Sequence, residues 1–431
     1  MLRLGHLKVL VNVAVEAGGS RYRVERTTAE LLTSKVTVPS EEMKALTEYL
    51  YKKKLCLIRS TDPQGHDNSL QEGAEREIRY PDLAIERHSD GTLRLTNRNQ
   101  LAQTVDVWWQ DRWLASPNVP SKVGAVTVSA KSGSKTGLSH IVDWAEATGF
   151  ISSTAQATPE GQLLAKLDGK YQGSSWIGNP YILGMDRILI GSVVLSLDLD
   201  LFSRLITALH ATTWPLKKRD AASLFADTVE RLVDEAESAN HLTVRQRFHL
   251  TEQLRELERA ARGKHGDVGG ASTTWHRAAS RLETYVDLGF LTKASGDHCY
   301  KFEYTYFPTA LLSSTSESLR SESDPLDWLE THVVSCLLGR ETRQEPIGIE
   351  EMREPLLRVL ETMRSPTTSY PIGTVALGLA SLLADSGDPI SIRAARRGLE
   401  ELPRSHPGLA HLSRGTSGQR AEYISLDLGK I

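Results

Sequence analysis

The sequence predicts an α+β chain: several units, each ending in a helix followed by a short hairpin, joined by helical segments. Two observations carry this expectation. Apolar residues recur at i, i+3, i+4 and i+7 along many stretches, the period of amphipathic helices. Several of these stretches run into a glycine, an apolar extended segment and a turn, as a helix does before a hairpin. The 431 residues, 40% hydrophobic and 24% charged, have an ordinary globular composition, and about 150 residues per domain suggests about three domains.

The first copy of the pattern begins with Leu138, Ile141, Val142 and Ala145 at helical spacing. Gly149 stands where a left-handed cap belongs, and Phe150-Ile151 resumes as extended chain. Thr158-Pro159 then opens a helix through Leu163, Leu164 and Leu167, threonine suiting the N-cap and proline the first turn.

In the second copy Trp275, Ala278, Ala279, Leu282, Tyr285 and Val286 share one helical face, and Gly289-Phe290-Leu291 ends it. Ser295-Gly296-Asp297 makes a turn. Tyr300, Phe302, Tyr304 and Tyr306 then alternate with the period of two expected of a half-buried strand. A third unit closes the chain. Asp388-Pro389 caps a helix carrying Ile392, Ala395, Leu399 and Leu402; Leu409 to Ser413 is a strand, Arg414 to Arg420 a tip, and Ala421 to Leu426 the returning strand. Helices over Met352 to Met363 and Pro371 to Leu383 precede it.

Helix, Gly-Phe-aliphatic, turn and return strand resemble the recognition helix and wing of the winged helix-turn-helix superfamily. Arrays of such units are similar to accessory subunits of bacterial chromosome-maintenance and restriction or defence machines, which implies DNA contact within a larger assembly. A fourth unit is expected near the N-terminus: Ser40 caps a helix with Met43, Leu46, Tyr49 and Leu50, Leu55 to Ile58 forms a strand, Thr61 to Gly73 a loop, and Asp90-Gly91 turns a hairpin between Leu83-Ala84-Ile85 and Leu93-Arg94-Leu95. Ile182 to Leu209 and Leu224 to Leu257 read as a connecting helical bundle, and the serine-rich Ser313 to Ser323 as a linker before a helix capped by Asp324-Pro325. The expected domains are 1–120, with a winged helix plus hairpin; 121–210, a winged-helix-like unit with its connector; 211–312, helical segment and second winged helix; and 324–431, the C-terminal winged helix.

No run of about 18 apolar residues predicts a membrane span. The N-terminus Met1-Leu2-Arg3-Leu4-Gly5-His6 lacks a secretion pattern, and Cys56, Cys299 and Cys336 form no spaced pair. A reduced, cytoplasmic protein with buried thiols is therefore expected. A net charge of −3 excludes a polycation and leaves room for a locally basic face.

Catalytic signatures are missing from the sequence. Gly133-Ser134-Lys135-Thr136 imitates the end of a phosphate loop, yet Ser134 separates glycine from lysine and Val128 occupies the place of the earlier glycine. Asp198-Leu199-Asp200 follows an apolar run, but the residues around it fit helices. Glu72-Gly73 and Glu160-Gly161 follow no apolar strand that would supply a further metal carboxylate. A solvated helix-helix turn is the reading there, with no cofactor and no metal expected. The 13 histidines do not cluster.

DNA contact is expected from arginines on the helices and wings, because the guanidinium fork pairs with guanine edges and phosphate. His276, Arg277 and Arg281 occupy the outward side of the second copy. Arg393, Arg396 and Arg397 do so in the third, with Arg414 and Arg420 flanking its wing. Glu283, Asp287, Glu400 and Glu401 oppose them. The first copy presents Asp143 and Glu146, which repel phosphate and suit a structural or protein-facing role; Trp108, Trp109 and Trp113 are core or interface anchors. The expectation is thus a non-catalytic subunit contacting double-stranded DNA and other proteins of an assembly. The alternatives are a structural adaptor and, further off, a metal-dependent nuclease using Asp198 and Asp200.

Overall fold

The structure, a computed structural model, describes residues 4–17, 19–32, 57–60, 84–87, 93–95, 142–167, 184–238, parts of 243–255, 272–295, 304–363 except 323, 369–414 and 421–427. The expected Ser40 helix, the Thr61 to Gly73 loop, the tryptophans 108, 109 and 113, Cys56 and Cys299 lie outside them. The chain divides into two units. One comprises Met1–Ala157, Tyr171–Tyr181 and Lys293–Glu303; the other comprises Thr158–Lys170, Ile182–Thr292 and Tyr304–Ile431. The seam between Ala157 and Thr158 falls inside the first copy of the sequence pattern.

In the first unit, α1 (Leu4–Ala17) packs against α2 (Arg21–Leu32). Leu4, Leu7, Leu10, Val11 and Ala14 are buried on α1. Their helical spacing is plain in the sequence, yet neither helix was expected. Strands β1 (Leu57–Ser60), β2 (Ala84–Arg87) and β3 (Leu93–Leu95) form one sheet. β1 runs parallel to β2, and β2 pairs antiparallel with β3 through Ile85↔Leu95, as the Asp90-Gly91 hairpin requires. Residues 142–147 are helical. Gly149, at φ +71°, ends them as the spacing predicts: its N–H donates to Glu146 at 2.9 Å, and that of Phe150 donates to Ala145 at 3.0 Å, the paired bonds of a Schellman cap. Ile151 then bridges Ala157.

The second unit opens with α3 (Pro159–Lys166), where Thr158 Oγ1 accepts the Gly161 N–H at 3.1 Å. Helices α4 (Gly184–Leu197) and α5 (Leu199–Ala211) follow, then α6 (Lys218–Ser238) and α7 (Ser272–Asp287). Gly289 (φ +83°) closes α7 with the same two cap bonds, Gly289 to Val286 and Phe290 to Tyr285. β4 (Leu291–Ser295) pairs with β5 (Tyr304–Pro308). Leu216, ahead of α6, exchanges both backbone bonds with Tyr306 of β5 at 3.1 and 3.0 Å.

The serine-rich segment expected as a linker is instead a helix, α8 (Ala310–Ser321). Its serines do not break the turn. The hydroxyls of Ser314, Ser318 and Ser321 donate back to carbonyls three residues earlier, while Leu312, Thr315, Ser316 and Leu319 are buried. Asp324 caps α9 (Pro325–Leu338), accepting the Leu326 N–H at 2.9 Å.

The C-terminal segment comprises α10 (Ile349–Met363), β6 (Ser369–Pro371), α11 (Ile372–Ser386), α12 (Ile392–Ser405), β7 (Ala410–Arg414) and β8 (Ala421–Leu426). The cap of α12 is Ser391, whose Oγ accepts the Ala394 N–H at 3.1 Å. Asp388, the expected cap, sits three residues upstream, where its N–H completes the cap after α11. The sheet order is β6-β8-β7, antiparallel throughout. α11 is buried at Ile372 and from Thr374 to Ala384 because α4, α10 and α12 all pack on it. A second core centre lies at Phe202 of α5, whose ring centroid is 5.8 Å from Tyr285, 5.7 Å from Phe290 and 5.4 Å from Trp328.

The stretch α10–β6–α11–α12–β7–β8 follows the succession helix, short strand, helix, helix, hairpin. The stretch α5–Leu216–α6–α7–β4–β5 is similar, but Leu216 forms a single bridge instead of a strand, and helical residues among 244–255 stand between α6 and α7. In both, the last strand pairs with that short strand or bridge and with the first arm of the hairpin. The architecture is α+β and mostly helical. Among the described residues, no helix is long and apolar enough to cross a membrane.

Candidate nucleic-acid interface

The last helix of the C-terminal segment carries the densest set of expected site residues. α12 is sharply amphipathic: Ile392, Ala394, Ala395, Gly398, Leu399 and Leu402 are buried. Gly398 permits a close approach, since a Cβ there would lie 2.7 Å from the Ile347 carbonyl oxygen.

The arginines on the other side divide. Arg397 is exposed, and so is Arg404, seven residues on and on the same stripe. Arg393 and Arg396 turn toward α9. The Arg393 Nη2 pairs with Asp327, and its Nε lies 4.0 Å from Glu330. The Arg396 Nη1 donates to Glu330 at 3.2 Å and its Nε to Glu400 at 3.0 Å. Their expected exposure on the helix face is therefore reduced to about a fifth of each side chain, 24% and 17%. Pairing with carboxylates lets them approach the α9–α12 interface without an isolated buried charge.

Beyond α12, β7 and β8 form the expected hairpin. Arg414 ends β7 opposite Ala421, at a register shift between Ser413 and Arg414. The Arg414 side chain and all of Arg420 lie outside the described residues. His411 and Tyr423 are exposed, and Tyr423 stands opposite Ser413. Arg404 and Tyr423 were not among the expected site residues. The spacing of Arg404 from Arg397 is the signal that identifies the first; Tyr423 reads in the sequence as one more alternating strand residue.

The second copy differs. His276 and Arg277 are on α7, and their side chains lie outside the described residues. Arg281 pairs with Asp198 at 2.5 Å. Asp198 is the N-cap residue of α5 and is half-buried. Burial raises its pKa, and Arg281 opposes that shift. The Asp198-Leu199-Asp200 turn joins two helices as expected, with Asp200 exposed and Asp198 and Leu199 half-buried. Glu283 and Asp287, read as exposed acids, are buried. Glu283 accepts a hydrogen bond from Tyr306 Oη at 3.0 Å, which ties the hairpin to α7. The outward side of α6 is acidic, with Asp220, Asp227, Glu230, Asp234, Glu235 and Glu237 exposed around Arg231.

The acids of the first copy are also engaged. Arg21 of α2 pairs with Asp143, and its Nη1 lies 3.2 Å from Glu146.

Among the described residues, no three of His, Cys, Asp or Glu converge as a metal site would need. Cys336 is a free thiol, half-buried and 2.7 Å from Thr315 Oγ1, and desolvation pushes it up to about 12. No family model, no curated protein and no solved structure matches the chain.

Proposed function

We propose that the chain is a non-catalytic, DNA-binding subunit of a larger assembly, built on winged-helix-like units and working in the cytoplasm. The observation that supports this most is the C-terminal succession of helix, short strand, helix, helix and hairpin, with the last strand central. That is the order a winged helix uses to set a helix and a wing side by side. In the C-terminal unit the contacts fall to Arg397, Arg404 and the β7–β8 wing with Arg414 and Arg420. Arg393 and Arg396 are occupied by carboxylates. The 199–308 unit serves as scaffold, because its Arg281 is paired and its α6 face would repel phosphate.

Binding of duplex DNA, followed by fluorescence anisotropy from about 50 to about 200 mM salt, tests this reading. The expected result is a steep loss of affinity with salt. Arg397→Glu with Arg404→Glu should weaken binding at least tenfold and flatten the salt slope, as should Arg414→Glu. Binding indifferent to salt and to these substitutions sinks the proposal.

The internal pairing of Arg281, Arg393 and Arg396 favours one second reading, a structural adaptor whose hairpins contact partner proteins. Its mark is stable co-purification with another subunit, unaffected by substitutions at Arg397 and Arg414.

A further inference from the structure

We propose that the acidic edge of α9 is a built-in competitor for DNA phosphate at the arginines of α12, an inference that rests on the DNA-binding reading above. Asp327 and Glu330 stand one turn apart on α9, facing Arg393 and Arg396 one turn apart on α12. The four side chains interlock, with Arg393 on Asp327 and near Glu330, and Arg396 on Glu330 and Glu400. A carboxylate offers the guanidinium fork the same planar pair of acceptor oxygens that a phosphate does.

The cluster is neither sealed nor free. Asp327 is 35% exposed and Glu330 13%, so the Arg393–Asp327 side opens to solvent and the Glu330 side is closed. Arg397, beside Arg396 in sequence, is exposed on the same helix. A phosphate drawn to Arg397 therefore arrives within a helical turn of both occupied arginines. Glu400 also shares Arg396, from its own helix. Trp328, Leu329, Val333, Val334 and Leu337 bury the opposite side of α9, which fixes the helix. The exchange is accordingly one of side chains, with a guanidinium leaving a carboxylate for a phosphate while α9 stays in place. In the free protein the competitor masks two phosphate contacts and lowers affinity for duplex of any sequence.

The full-length chain carrying Asp327→Asn and Glu330→Gln tests this against wild type, with a mixed-sequence duplex as the probe. The proposal expects affinity up to about tenfold higher at low salt and a salt dependence steeper by between one and two phosphate contacts, each about 0.9 in slope, because Glu400 still shares Arg396. Arg393→Gln with Arg396→Gln in that background should return both values to wild type. Unchanged or weaker binding by a variant that melts as wild type overturns the competitor and leaves the two arginines as struts between helices. If the double variant fails to fold, Asp327→Asn alone is the test, with a gain of about threefold from its one freed contact; no gain overturns the proposal. Wild type that binds through Arg397 and Arg404 while the variant gains nothing removes the competitor alone. Failure of both proteins to bind removes the DNA-binding reading with it.

Discussion

The Tyr306 hydroxyl donates to Glu283 across 3.0 Å, and both side chains are fully buried. This bond joins β5, the returning strand of the β4–β5 hairpin, to α7, the helix before it. Because a charged or polar group in the core depends on its hydrogen bonds, Tyr306→Phe should cost about 1–3 kcal/mol. Urea unfolding monitored by circular dichroism measures it. A change below about 0.5 kcal/mol, the level of an ordinary surface substitution, would show that the bond contributes little.

Gly398 lies where α12 crosses the chain at Ile347. An added Cβ would sit 2.7 Å from a backbone carbonyl, which cannot swing aside as a side-chain end can. Gly398→Ala is expected to lower stability by about 1–3 kcal/mol, although alanine favours helix. A thermal melt reads the sign directly, and a stabilised variant would contradict this packing.

Asp198 makes stability depend on pH. Burial raises its folded pKa above the ordinary carboxylate value of about 3.9, so the folded state holds the proton more tightly than the unfolded. Its ionisation therefore lowers stability as pH rises from the unfolded value through the folded one, and protonation restores stability below that window. Asp198→Asn should remove this part of the dependence. Urea midpoints of the two proteins, measured from mildly acidic to neutral pH, should diverge in that direction; parallel curves would rule it out.

Cys336 should resist alkylation in the native state. Desolvation pushes its thiol to about 12, leaving almost no thiolate at neutral pH. Peptide mapping after iodoacetamide treatment should find Cys336 modified in denaturant and spared without it. Rapid native labelling would place the thiol in a more open setting.

The elements proved legible wherever their signals were local. The caps at Gly149, Gly289, Thr158 and Asp324 follow from bonds between residues a few positions apart, and the returning strand Ala421 to Leu426 from alternation along its own few residues. The helical run through Leu4, Leu7, Leu10 and Ala14 carried an equally local signal and passed unread. Ser313 to Ser323 misled for a physical reason: serine suits loops by its own propensity, but back-bonded hydroxyls and the burial of Leu312 and Leu319 outweigh it.

The sequence by itself determined an α+β chain of amphipathic helices and short hairpins, because periodicity and capping chemistry act within one or two turns. Only the tertiary structure decided which arginines face solvent. Arg393 meets Asp327 and Arg396 meets Glu330, each across 66 positions of sequence. No pattern along α12 separates these two from Arg397. Helical spacing gives the side of the helix on which a charge stands, and the packing of α9 on α12 decides whether it meets water or a carboxylate.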